Sequence, residues 1–165
     1  MKNFIFLKSK YIGLWFLLAI IILALFQVTI LNPFSIFNVK PDLFIVGVVI
    51  IGLSFKLRTA LTLNIFAGVL KDSLSTGYPV NTLMFAIWTL LIARLIKEIT
   101  IDYDFMRIVL VCIVTLFHNI IIGLTLIYSG NFVPAGIFLR IVIIEAIYTT
   151  LVSIPLLRLT NQFNR

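Results

Sequence analysis

The side chains of this chain that could take part in chemistry are few, and they lie within or beside long apolar runs. Lys71 and Asp72 stand next to each other at the end of one run. His118 and Asn119 lie near the middle of a second run, and Glu145 lies near the middle of the last. Ionisable groups in such positions are costly and mark candidate functional sites. The four ionisable residues among them, Lys71, Asp72, His118 and Glu145, are therefore the first candidates for a site.

His118 and Glu145 are predicted to lie at nearly the same depth on neighbouring antiparallel helices. One is ten residues before Tyr128 and the other is eleven residues after Pro134, on either side of one short connection, and a helix rises about 1.5 Å per residue. Two interpretations stay open. The pair forms a polar pocket or an ion-coupled site, or it is a hydrogen bond between two helices, worth about 0.6–2 kcal/mol in a membrane.

No catalytic or metal-binding motif accompanies these residues. The sequence has no glycine loop that could cradle a phosphate, and no nucleophile and base with a plausible mutual geometry. Its single cysteine, Cys112, can form neither an internal disulfide nor a thiolate metal cage. We expect a protein that is not an enzyme and has no cofactor or metal, with Cys112 as a small buried residue.

The composition predicts an integral membrane protein. Of the 165 residues, 62% are hydrophobic and 12% are charged, whereas soluble domains are about 45–50% apolar and about 25% charged. No segment outside the apolar runs is long enough for a second domain, so residues 1–165 are predicted to form one transmembrane domain. The net charge of +7 comes from dispersed residues, unlike the basic patch of a nucleic-acid-binding protein.

Six helical spans are predicted, because a bilayer core of about 30 Å needs about 20 helical residues. The first run, Tyr11–Leu31, is too long for a cleavable signal core. The second and third runs are short and are parted by Lys56 and Arg58. A hairpin there would leave both charges in the membrane at about 2.5–3.5 kcal/mol each, so two crossings are favoured. The predicted spans are about 11–31, 39–55, 59–75, 80–96, 107–128 and 135–157.

The loop charges predict that both termini are cytoplasmic. With that orientation the outer connections carry only Lys40 and Lys71, and the basic residues concentrate on the inner side, as in membrane proteins generally. The inner basic residues are Lys2, Lys8, Lys10, Lys56, Arg58, Arg94, Lys97, Arg107, Arg158 and Arg165.

Two segments carry a family resemblance. Residues 39–44 contain a Pro-Asp-Leu entry to a helix, and residues 66–82 contain a Gly-x-x-x-Asp pattern that closes a helix, with glycine and proline before the next. In this pattern, and in its length and number of spans, the chain resembles the rod shape-determining protein MreD family. The matching positions are Pro41, Asp42, Leu43, Gly68, Asp72, Gly77 and Pro79.

The resemblance implies a non-enzymatic protein of bacterial cell elongation in the cytoplasmic membrane. Its implied partners are a bitopic MreC-like protein and, in the wider complex, an actin-like filament protein and peptidoglycan synthases. The resemblance also implies a fold similar to that of the substrate-binding subunits of energy-coupling-factor transporters. The alternative function is therefore a substrate-binding subunit of a vitamin-type transporter, although the chain lacks the Ala-x-x-x-Ala spacing that such a subunit would present to its partner.

Asp72 itself has two interpretations. It marks the outer end of the third span, with Gly77 and Pro79 shaping the turn, or it faces a groove that meets a partner. Under the second interpretation the candidate groove residues also include Lys71 and the motif positions Pro41, Asp42, Gly68, Gly77 and Pro79.

Overall fold

Six α-helices make up the described part of the chain, which contains no β-strand. The computed structural model describes residues 12–29, 35, 39–75, 79–98, 104–130 and 134–163. Lys2, Lys8, Lys10, Gly77 and Arg165 therefore lie outside the described residues. The prediction of an all-α protein is confirmed. The helices are α1 (Ile12–Thr29), α2 (Leu43–Ser54), α3 (Leu57–Leu74), α4 (Val80–Glu98), α5 (Asp104–Tyr128) and α6 (Ala135–Phe163).

Three of these helices are long and apolar enough to cross a membrane, which indicates a membrane protein. They are Val80–Glu98, Asp104–Tyr128 and the Ala135–Arg158 part of α6. Shorter apolar helices cover Trp15–Thr29 and Leu43–Ser54. At 12 residues, α2 is about 18 Å long, which is well short of a bilayer core.

Helix α2 occupies the centre of the fold and contacts all five other helices. Nine of its 12 residues are buried, so it is apolar on every side, as expected for a helix that is surrounded by protein. Ile45 and Val49 are completely buried there, and so are Phe85 of α4 and Val111 of α5. The hydrophobic core of the protein therefore lies around α2.

A buried amide joins three helices near the middle of this core. Asn64 of α3 donates from Nδ2 to the carbonyl oxygen of Val48 in α2 at 3.2 Å and to Oγ1 of Thr89 in α4 at 2.7 Å. The Thr89 hydroxyl donates in turn to the carbonyl of Phe85 at 2.6 Å. Such interhelical bonds replace the hydrophobic driving force that lipid does not supply between helices.

Four of the remaining helices pack as two sequential pairs, α3 along α4 and α5 along α6, and α1 packs on α2 and α3. In the second pair the ring of Phe138 lies directly over Gly123, where no side chain could be accommodated without displacing it. The cleft between the two pairs is where the polar residues gather.

Candidate functional site

Asp42 begins helix α2 inside the protein. Its carboxylate oxygen Oδ1 accepts hydrogen bonds from the backbone N–H groups of Phe44 at 3.0 Å and Ile45 at 3.4 Å. This is the N-cap arrangement that satisfies the free amides of a first helical turn. Asp42 is only 2% exposed, so the helix starts within the bundle and not at its surface.

Side chains of other helices satisfy the backbone of the non-helical entry to α2. Gln27 of α1 donates from Nε2 to the carbonyl of Pro41 at 3.0 Å and accepts at Oε1 from the N–H of Leu43 at 3.2 Å. Thr149 of α6 accepts at Oγ1 from the N–H of Asp42 at 2.8 Å. Buried backbone polar groups need such partners, so Gln27 and Thr149 permit the Pro-Asp-Leu segment to lie inside the fold.

Lys71 forms an ion pair with Asp42 and not with its sequence neighbour. The Lys71 ammonium donates to Oδ2 of Asp42 and lies 5.4 Å from the centre of the Phe85 ring. Successive residues of a helix point about 100° apart, which directs Lys71 toward α2 and Asp72 elsewhere. The pair joins the two segments that carry the family resemblance.

Asp72 caps the start of helix α4. Its oxygen Oδ1 accepts from the backbone N–H and from Nδ2 of Asn81, at 3.0 and 2.8 Å. Its oxygen Oδ2 accepts from the backbone N–H and the hydroxyl of Thr82, at 2.8 and 2.5 Å. A carboxylate is favourable at a helix N-terminus because of both these bonds and the helix dipole. The structural interpretation of Asp72 therefore corresponds to a defined role, which is to cap the first turn of α4.

Gly68 and Pro79 complete the junction of α3 and α4. A Cβ atom at Gly68 would lie 2.5 Å from the Cα of Thr82, so only glycine allows the two helices to approach this closely. The carbonyl of Pro79 accepts from the N–H of Leu83 at 3.3 Å, which opens the first turn of α4. Both residues therefore shape the helix junction.

His118 connects these two aspartate sites. Its Nε2 atom lies 3.3 Å from the Lys71 ammonium and 3.1 Å from Oδ1 of Asn81. The amide nitrogen of Asn81 donates to the acceptor-only carboxylate of Asp72, so the amide oxygen must face the histidine. Because this oxygen can only accept, we assign the ring hydrogen to Nε2, which donates to Asn81, and the Lys71 ammonium then contacts Nε2 without a hydrogen bond. Asp42, Lys71, His118, Asn81 and Asp72 form a continuous set that we call the junction cluster.

Glu145 and His118 line the same cavity, but they are not hydrogen-bonded to each other. The cavity has a volume of about 920 Å³, and its lining also includes Lys71, Asn81 and Asn119. The predicted similar depth of His118 and Glu145 agrees with this placement. Within the described residues, however, the polar side-chain contacts of His118 are to Lys71 and Asn81, and its ring packs on Phe85, so no direct His118–Glu145 bond joins α5 to α6.

The chemistry that this arrangement offers is binding and helix positioning. Within the part of the chain that the structure describes, no group of three or more His, Cys, Asp or Glu side chains could hold a metal ion. Cys112 is half-buried and free. Comparisons with family models, with curated proteins and with solved structures find no match to this chain.

Proposed function

We propose that this chain is a non-enzymatic component of the bacterial cell-elongation complex, similar to MreD proteins. It would help to assemble or regulate peptidoglycan synthesis through an MreC-like bitopic partner. The observation that supports this proposal is the junction cluster. The two segments that resemble the family, residues 39–44 and 66–82, meet there through the Lys71–Asp42 ion pair.

The residues that carry the resemblance have distinct structural roles. Their presence together therefore supports the proposal more strongly than any one of them would. Asp42 starts α2, Asp72 starts α4, and Gly68 lets α3 and α4 touch. A chain that was merely apolar would need none of them. A pattern whose members depend on one another in three dimensions is better support for a shared fold than the same residues would be if they were scattered.

Six crossings with both termini in the cytoplasm are part of the proposal. The 12 residues of α2 provide about 18 Å, and the four non-helical residues before it add at most about 13–14 Å, which together match a core of about 30 Å. Basic residues are exposed at the other end of α2, in the turn to α3, and at the end of α4. They are Lys56, Arg58, Arg94 and Lys97, as a cytoplasmic face requires.

The test is crosslinking followed by affinity recovery from native membranes, with the captured proteins read by mass spectrometry. We expect an MreC-like bitopic protein and wall synthases to be recovered, and depletion of the chain to round the cells. The control is an unrelated polytopic protein with the same tag at the same level. Recovery of transporter ATPases without any cell-elongation protein would overturn the proposal.

A second candidate function is the substrate-binding subunit of a small-molecule transporter. It is favoured by one observation, the cavity of about 920 Å³ beside the junction cluster. The same recovery experiment separates the two candidates, because a transporter subunit requires an ATPase partner and a cell-elongation protein does not.

A further inference from the structure

The cavity between the α3–α4 and α5–α6 pairs has the size and lining of a ligand site. Its volume of about 920 Å³ lies in the range of about 300–1,000 Å³ that is usual for small-molecule pockets. Its lining runs along α5 from His118 to Tyr128, about 15 Å of helix. The walls are mainly aliphatic, and they are formed by Val80, Ile121, Ile122, Leu124, Leu126 and Ile127.

Two buried polar atoms that belong to residues lining this cavity have no hydrogen-bond partner among the described residues. They are Nδ1 of His118 and Nδ2 of Asn119, in side chains that are 0% and 9% exposed. Buried polar groups in folded proteins nearly always have a partner. With Nε2 of His118 donating to Asn81, Nδ1 offers a lone pair, whereas Nδ2 of Asn119 offers a hydrogen. A ligand that reaches these two atoms would meet one acceptor and one donor.

Among the acidic side chains at this cavity, Glu145 is the one that no ion pair or helix N-terminus engages in the described contacts. Asp42 and Lys71 neutralise each other in their ion pair. Asp72 is bound by the N-terminus of α4. Glu145 lines the cavity, but it belongs neither to that ion pair nor to the Arg94–Glu98 pair. An unpaired carboxyl group in apolar surroundings favours its neutral form, and a basic amine that takes up its proton would form an ion pair with it.

We propose that this cavity binds a small amphipathic organic amine. The protonated amine pairs with the Glu145 carboxylate and donates a second hydrogen to Nδ1 of His118. An oxygen next to the amine accepts from Nδ2 of Asn119, and the aliphatic walls cover the apolar body. An anionic ligand could not form an ion pair with Glu145, and a lipid acyl chain would leave all three polar groups without partners. The inference goes beyond a role in cell elongation and does not depend on it.

The test measures binding to the full chain in lipid nanodiscs by equilibrium dialysis, with empty nanodiscs as the partitioning control. The probes share one apolar body and differ in their polar end. They are 4-phenylbutylamine, 4-phenylbutan-1-ol and 4-phenylbutanoate. We expect the amine to bind at least about tenfold more tightly than the alcohol, as a charge-assisted hydrogen bond implies, and the carboxylate to bind no more than empty discs do.

Two substitutions test whether Glu145 causes the preference for the amine over the alcohol. Glu145→Gln keeps the size of the side chain and removes its charge, so the preference for the amine over the alcohol should fall below about threefold. Glu98→Gln makes the same chemical change on an exposed residue of α4, and it should retain the full preference.

The wild-type probe series decides the question even if Glu145→Gln does not fold. Equal binding of amine and alcohol, or amine uptake equal to that of empty nanodiscs, overturns the proposal. A preference for the amine that survives in folded Glu145→Gln overturns it as well. Because every arm uses the isolated protein, these results are independent of whether cell-elongation partners are recovered from membranes.

Discussion

Replacing Asp72 by alanine should destabilise the protein because the start of α4 loses its cap. Loss of an N-cap side chain costs about 0.5–2 kcal/mol. In addition, the Asn81 side-chain amide would lose the partner to which it donates at 2.8 Å, and an unpaired buried donor costs about 1–3 kcal/mol. We therefore expect a decrease of about 3 kcal/mol in the free energy of unfolding. Asp72→Asn keeps one acceptor oxygen and should lose about half of that.

The measurement is denaturant-induced unfolding in detergent micelles, followed by circular dichroism. The matched control is Ser73→Ala, which changes the next residue of α3. Ser73 is exposed, and its hydroxyl bonds only within its own helix, to the carbonyl of Val69 at 2.8 Å. Such a surface substitution should change the free energy of unfolding by no more than about 0.5 kcal/mol.

Two results would contradict this reasoning. If Asp72→Ala unfolds like Ser73→Ala, the carboxylate does not cap α4. If Asp72→Asn keeps wild-type stability yet loses its partner proteins at matched expression, Asp72 acts in recognition and not in folding. The capping role predicts instead that partner recovery falls in the same order as stability, from wild type through asparagine to alanine.

Two further substitutions test the close approach of Gly68 to Thr82 and the Lys71–Asp42 ion pair by the same unfolding measurement. Gly68→Ala forces a methyl group against the backbone of Thr82 and should cost about 1–3 kcal/mol. By contrast, Gly136→Ala enters open space and should be neutral or stabilising by up to about 1 kcal/mol; equal effects of the two would refute the close approach. Lys71→Met leaves the buried Asp42 carboxylate without its partner and should lower the free energy of unfolding by about 3–5 kcal/mol. Adding Asp42→Asn should restore part of that loss. A double variant that is no more stable than Lys71→Met would argue against a charge penalty.

The sequence predicts where the helices lie because the length of an apolar run is itself a physical constraint in a membrane. It does not predict that α2 is central, since two short apolar runs of similar length look alike until their neighbours are known. The contacts of α2 with all five other helices arise from packing. Similarly, the rise per residue predicts the common depth of His118 and Glu145, but rotation about each helix axis decides which side chains meet.

The two residues that bond the backbone before α2 differ in how well the sequence predicts their roles. Gln27 is a lone amide in a long apolar run, and buried polar groups in such runs need partners, so it could have been singled out. Thr149 gave no signal, because threonine often bonds its own helix, as Thr150 does to the carbonyl of Ala146 at 2.6 Å. The sequence also does not indicate that Lys71 pairs with Asp42, because Asp72 is the adjacent and more obvious partner.

The short length of α2 explains why two ionisable residues stand together at the end of α3. A helix of 12 residues that begins inside the bundle exposes unsatisfied amides there, and Asp42 satisfies them at the expense of burying a charge. Lys71 compensates that charge, while the next residue, Asp72, satisfies the start of α4. Consecutive residues of one helix thus hold the beginnings of two others, and Lys71 at the same time lines the cavity. A ligand in that cavity would therefore act directly on the ion pair that joins α2 to α3.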